Sequence, residues 1–281
     1  MTTLLAASLV SMTLAQETDT VFAIPKGSRL DIENFSGEVV VRTWNRNEMR
    51  LVADHSSRTV IEIDVHGRRV ELKARARRGA PTAVDYEITV PAQIDISIGG
   101  TFTDTDIEGA EGEISVETVQ GEIVVLGGRG FVSLQSVQGD VELTGARGKI
   151  DAQSVSGDVQ LTDVAGEIYA ETVNGDILLE NVQSSDVEAT TTNGDVTYEG
   201  SIEDDGRYSF TNHNGDVTLI MQDGANATVS VSTFSGEFES DFPVTLTETR
   251  RPGRRFRFTL GTGSARVQLE SFNGTLQLRK R

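Results

Sequence analysis

Glycine, aliphatic and polar positions recur along the second two thirds of the chain with a period of nine. Gly112, Gly121, Gly130, Gly139, Gly148, Gly157, Gly166 and Gly175 stand nine residues apart. The phase slips by one at Ser185 and resumes at Gly194. Later units come in pairs: Gly206 with Gly215, Ala227 with Gly236, and Ala265 with Gly274. Fixed-period self-similarity on this scale marks a repeat architecture. Counted from each glycine, apolar residues fall at offsets two, four and seven, as in Val132, Leu134 and Val137 or Ile177, Leu179 and Val182. Offsets two and four share one face of a strand, whereas offset seven has the opposite parity. Burying all three requires a bend between offsets four and seven, which a coil closing around a core supplies and a flat meander does not. On this reading Val119, Val137, Val155 and Val173 point inward. His213 occupies the same slot and is then a core residue near one end.

Alternate units differ. One junction reads SVQGD at 136–140, SVSGD at 154–158, TVNGD at 172–176 and TTNGD at 191–195; the other, such as ARGK at 146–149, lacks this polar signature. The true period is therefore 18. The pattern predicts an all-β chain, a parallel β-solenoid with 18-residue coils made of two nine-residue units. Eight junctions of the first kind imply about eight coils, roughly 40 Å of stack at about 4.8 Å per coil. A lone coil cannot bury its apolar face, so neighbours must share it. The gaps between later pairs read as loops, the largest being 241–264.

Residues 16–100 follow another rhythm. Alternating runs at Arg29–Ile32, Glu38–Val41, Val60–Val65, Val70–Lys73 and Tyr86–Val90 are separated by Gly, Pro, Asn and charged residues, a pattern of short strands. They predict an N-terminal β capping segment over 16–100, ahead of a solenoid region over 101–281. Gly37, in FSGEVVV, already carries the junction signature, so the boundary can equally be a change of regularity.

Composition narrows the function. With 28 Gly, 5 Pro, 6% aromatics and no Cys, the core must be aliphatic, and disulfides, thiolate catalysis and Cys-ligated metals are excluded. The formal charge is −18, and residues 100–249 hold 29 acids against 4 bases. Such a surface repels phosphate backbones, so no nucleic-acid partner is expected. Basic residues gather instead in the flanks, at Arg68, Arg69, Lys73, Arg75, Arg77 and Arg78, then at Arg250, Arg251, Arg254, Arg255 and Arg257. They read as solvated strand edges that discourage further pairing. Residues 1–15 (MTTLLAASLVSMTLA) are apolar and uncharged and end in small residues, like a signal peptide lacking its basic start. Gln16 after the expected cut rules out a lipoprotein signal. No other segment approaches the roughly 20 apolar residues of a membrane span. An exported location is expected: periplasm, cell surface or extracellular space.

FAIPKGSRLDIENFSGEVVVRTW near the start, YEITVPAQIDISI in the middle and the recurrent NGDI and NGDV junctions resemble the bacterial β-strand-repeat "putative adhesin" family, a domain of unknown function in exported envelope proteins. The resemblance covers nearly the whole mature chain. It implies a β-repeat fold and an envelope location, and it supplies no catalytic residues.

Candidate sites remain. The residue after each polar junction glycine is acidic: Glu122, Asp140, Asp158, Asp176, Asp195, Asp216 and Glu237. Stacked, they would form a column, either a site for a divalent cation such as Ca2+ or the turn chemistry that Asn-Gly-Asp corners require. The spacing does not match the three-glycine calcium β-roll repeat. Asp104, Asp106, Glu108 and Gly109 mimic the start of an EF-hand loop, but Ser115 stands where the terminal Glu belongs. Thr118, Ser136, Ser154, Thr172, Thr191, Thr233 and Ser271 share another offset and predict a hydrogen-bonded ladder beside Gln120, Gln138, Asn174, Asn193 and Asn214. His55, His66 and His213 are scattered, and no nucleophile elbow, zincin or phosphate-loop motif occurs. The expectation is a non-enzymatic scaffold, adhesin-like, binding an envelope protein or glycan through an extended face. A glycan- or cation-binding module is the alternative, and a glycan-active β-helix enzyme a further one.

Overall fold

A computed structural model describes residues 15–79, 82–244, 248–250 and 254–281. The leader expected over residues 1–15 lies outside them except for Ala15. Strands dominate, and among the described residues no helix is long and apolar enough to cross a membrane. The all-β expectation holds.

Six strands precede residue 95: β1 (Ala15–Ala23), β2 (Arg29–Trp44), β3 (Glu48–Ser56), β4 (Thr59–His66), β5 (Arg69–Ala76) and β6 (Val84–Pro91). The long β7 (Asp95–Ala110) leads into three pairs of shorter strands. These are β8 (Ile114–Gln120) with β9 (Ile123–Gly127), β10 (Arg129–Gln138) with β11 (Val141–Thr144), and β12 (Arg147–Ser156) with β13 (Val159–Thr162). Then come β14 (Ala165–Asn174), β15 (Ile177–Asn193), β16 (Val196–Gly200), β17 (Arg207–Asn214) and β18 (Val217–Met221). The last are β19 (Ala227–Thr233), β20 (Phe238–Ser240), β21 (Glu248–Arg250), β22 (Arg254–Leu260), β23 (Ala265–Asn273) and β24 (Leu276–Lys280).

Neighbouring rungs pair in parallel at an offset of 18 residues, as in Gly130 with Gly148 and Val141 with Val159. The slip at Ser185 is a bulge: Ala165 pairs with Gln183, but Glu167 pairs with Asp186. One row of strands runs β2, β7, β8, β10, β12, β14, β15, β17, β23, β19. The other continues the same rungs through β9, β11, β13, β15, β16, β18, β24 and β20. Eleven parallel rungs result where the junction count predicts about eight, because the β5–β6 pair, β2 and β7 also belong to the stack.

Four expectations need correction. The boundary expected at residue 100 falls inside β7, and parallel stacking already includes β5 and β6 against β2, whose residues 29–42 pair with 95–108. The 241–264 segment, expected to be a loop, contains β22, which pairs antiparallel with β19. Val119, Val137, Val155 and Val173 are exposed rather than inward. His213, in the same slot, is exposed too. The physical reason is parity. In β10, β12 and β14 the strand runs straight through offsets two, four and six, so Ser136, Ser154 and Thr172 are buried and the valine after each faces out. The bend at offset seven exists in the other half of the rung, where Ala146, Val164 and Val182 are buried.

The ends are ordered out of sequence. β23 and β24, last in the chain, lie between β17–β18 and β19–β20. β2 lies between β7 and the β5–β6 pair, which forms the outermost parallel rung at that end. Antiparallel strands flank both ends: β1, β3 and β4 at one, β21 and β22 at the other. The described parts of both basic clusters sit on or beside these flanking strands, where Arg69 pairs with Asp31 at 2.8 Å, Lys73 with Glu33 at 3.3 Å and Arg75 with Glu62 at 3.2 Å. β5 pairs with β2 and β4, and β22 with β19 and β21, so these strands are not the free edges expected from the charge pattern.

Candidate functional site

The polar junction is built first by glycine. A Cβ at Gly157 would fall against the carbonyl oxygen of Gly139, and one at Gly194 against that of Gly175, so the rungs approach too closely there for any side chain. The junction carbonyls belong to half-buried glycines at the corner, and an acceptor partly withdrawn from water needs a donor. Side-chain hydroxyls supply it: Ser136 donates to Gly121 O at 3.1 Å, Ser154 to Gly139 O at 3.0 Å, Thr172 to Gly157 O at 2.9 Å and Thr191 to Gly175 O at 3.0 Å. Outside it runs an amide ladder, in which Asn193 donates to Asn174 at 2.9 Å, Asn214 to Asn193 at 3.0 Å and Asn273 to Asn214 at 3.1 Å.

The acidic residues do form a column. Each aspartate Oδ1 accepts the backbone N–H one rung on: Asp158 N donates to Asp140 at 2.8 Å, Asp176 N to Asp158 at 2.8 Å, Asp195 N to Asp176 at 2.8 Å and Asp216 N to Asp195 at 2.7 Å. Glu122 N donates likewise to Asp104 at 3.0 Å. After Asp216 the column is interrupted, because the inserted last rung places Thr275 between Asp216 and Glu237. One oxygen of each bridging aspartate is thus held by the backbone. Among the described residues no three of His, Cys, Asp and Glu gather as a metal would require. Burial, together with Glu142, Asp140 and Asp104 nearby, raises the Glu122 carboxyl above the usual carboxylate range. Asp106 and Glu108, the other EF-hand-like acids, lie in β7 and pair with Arg42 at 2.8 Å and 3.0 Å.

The outward valines were not anticipated as a surface. In register they make one column along the corner: Phe35, Thr101, Val119, Val137, Val155, Val173, Thr192, His213, Phe272 and Phe234. Val119 is 50% exposed, Val155 43% and Phe234 63%. At one end Phe35 meets Phe102 edge to face at 5.7 Å. At the other, His213 stacks on Phe272 at 4.7 Å and Phe272 on Phe234 at 4.8 Å. The stretch of the column from Phe35 to Val173 lines a groove of about 740 Å³, bordered by Glu117, Glu171, Gln135 and Gln153.

A second, polar groove of about 1140 Å³ crosses the outer face of the first row of strands. Asp151, Tyr169 and Glu188 occupy consecutive rungs there. The Tyr169 hydroxyl donates to Glu171, which with burial raises its pKa. Arg207 pairs with Asp186 at 2.5 Å and Lys149 with Glu167 at 3.3 Å.

The family model Toastrack DUF4097 matches residues 27–279. The chain belongs to the Toastrack DUF4097 family. Similar solved structures are remote from this Toastrack chain. A "putative adhesin" of Bacteroides fragilis is 12% identical over 94% of this chain and 97% of its own, with a TM-score of 0.45. A "putative adhesin" of Parabacteroides distasonis is 11% identical over 93% and 96%, with a TM-score of 0.39. A "putative cell adhesion protein" of Clostridium sporogenes is 9% identical over 95% and 100%, with a TM-score of 0.26. No curated protein matches. The valine column of the Toastrack chain had a sequence signal: Val119, Val137, Val155 and Val173 each follow by one residue a hydroxyl that parity places inside.

Proposed function

We propose that this chain is a non-catalytic, exported scaffold of the cell envelope, a β-solenoid of 18-residue coils that binds a partner along one extended corner. The observation that carries the reading is the exposed column from Phe35 to Phe234. Contiguous apolar surface rimmed by polar residues marks interaction sites on soluble proteins. The column bears mainly valine and phenylalanine side chains, which suit association. Export rests on the leader-like first fifteen residues, and the adhesin-like role is reversible attachment to another envelope component.

The test uses envelope fractions and the full chain immobilised through its amino terminus. The wild type should retain a discrete component that the doubly substituted Val137→Asp, Val155→Asp chain does not. Equal retention by both would overturn the assignment of the corner.

The polar groove favours a second reading, a glycan-binding module. Tyr169 between Asp151 and Glu188 offers a ring and two carboxylates to sugar hydroxyls. Oligosaccharide binding lost on Tyr169→Ala with the corner intact would favour it. Cleavage of a bound glycan would further require those two acids to act as acid and base.

A further inference from the structure

We infer that the apolar corner is a groove for a cationic amphipathic helix, an inference that rests on the corner being the binding face. Three properties lead there. The first is spacing. Rungs repeat at about 4.8 Å along the stack. A helix laid along the groove presents apolar side chains once per turn of about 5.4 Å, drifting from the rungs by about 0.6 Å per step. An extended strand presents same-face side chains at about 6.8 Å, and is out of phase within two rungs. The second is length. The stretch from Phe35 to Val173 spans five rung intervals, about 24 Å, or some 16 residues of helix at about 1.5 Å each.

The third is charge. Glu117 and Glu171 border the valines on one side, and beyond the amide ladder on the other runs the acidic column. Of the bases between residues 100 and 249, Arg129, Arg147, Lys149 and Arg207 all sit towards the starts of their strands, whereas the valines sit at the ends; Lys73, at the Phe35 end of the border row, is paired with Glu33 at 3.3 Å. An apolar stripe between carboxylates complements a helix whose apolar face is flanked by Lys or Arg. A second copy of the chain would set acidic rim against acidic rim at a formal charge of −18 each, which argues against self-association.

The probe is a fluorescent peptide of about 18 residues, Leu at i, i+3, i+4 and i+7 spacing and Lys elsewhere, titrated with the full chain. Saturable binding with a gain of peptide helicity is expected. It should weaken at least about tenfold for a same-composition peptide whose leucines encircle the helix, and equally for a Glu-for-Lys peptide. Val137→Asp with Val155→Asp should cost at least about tenfold, and Glu117→Gln with Glu171→Gln several-fold, with weaker binding at high salt. A Val137→Thr, Val155→Thr chain repeats the test if the charged variant melts early. Equal affinity for the scrambled peptide, or no loss in the corner variants, would overturn the inference. So would a dimer that Val155→Asp dissociates, because the occupant would then be a second copy. Corner-dependent retention of an envelope component without peptide binding removes the helix and leaves the proposed function standing; loss of both removes both.

Discussion

Thr172 donates its hydroxyl hydrogen to the carbonyl oxygen of Gly157, one rung back, at 2.9 Å. That bond decides which way the corner faces. Turning Val173 inward would expose Thr172, Ala170 and Ile168 together, since all three share a face. It would also strip the Gly157 carbonyl of its donor, a loss of about 1–3 kcal/mol that alone rivals the burial of one valine.

The register therefore predicts a contrast within six residues. Val155→Asp should shift stability by no more than about 0.5 kcal/mol, as at other exposed sites. Val159→Asp, fully buried two residues after the junction glycine, should unfold the stack because it places an unpaired charge in the core. Thr172→Val, nearly isosteric, should cost about 1–3 kcal/mol. Thermal melts of the three chains check this; a Val155→Asp chain as unstable as Val159→Asp would refute the outward register.

Two buried tyrosines should respond oppositely to loss of the hydroxyl. Tyr86 Oη is buried without a hydrogen-bond partner among the described residues, and burial raises its pKa. Tyr198 donates to Ser201 O at 2.7 Å. Tyr86→Phe should be neutral or stabilising by up to about 1 kcal/mol, while Tyr198→Phe should cost about 1 kcal/mol. Denaturant midpoints distinguish them, and a destabilised Tyr86→Phe would contradict the packing described.

Glu122 gives a pH dependence of definite sign. Its raised carboxyl pKa means that the folded chain binds this proton more readily than the unfolded chain. Ionised Glu122 thus opposes folding above its folded pKa, and the opposition vanishes below the unfolded value near about 4.3. Glu122→Gln should raise Tm at pH 7 and leave it unchanged near pH 4. A lower Tm for the variant at pH 7 would contradict this.

The inserted last rung makes the carboxyl-terminal strands structurally central. Deleting residues 265–281 removes β23 and β24 from between β17–β18 and β19–β20, so it should abolish cooperative unfolding of the carboxyl-terminal rungs. Deleting a terminal rung stacked in sequence order would trim one layer. Hydrogen exchange over 207–240 reads the difference, and protection there equal to wild type would refute the order of strands.

Much of this was legible in the residues themselves. The nine-residue glycine spacing gave the period and the all-β class, and the shared offset of Ser136, Ser154 and Thr172 foretold the hydroxyl ladder. The acids from Glu122 to Asp216 align as their spacing implies. The rest has physical causes. Valine suits either face of a strand, so Val137 and Val155 carry no mark of their direction. Which rungs meet depends on closure of the whole stack, so nothing local in Ala265–Asn273 tells that it lies against Arg207–Asn214. β22 carries the alternation of a strand but lies in a segment that lacks the nine-residue glycine beat, so the repeat does not mark it.

The chain has no cysteine, so single cysteines report one surface at a time. The most direct measurement is maleimide labelling of Val155→Cys on the corner and Ser209→Cys in the polar groove, each with and without an envelope fraction. Binding along the corner predicts that labelling at 155 slows at least about fivefold while labelling at 209 is unchanged. Protection at 209 with none at 155 would contradict it.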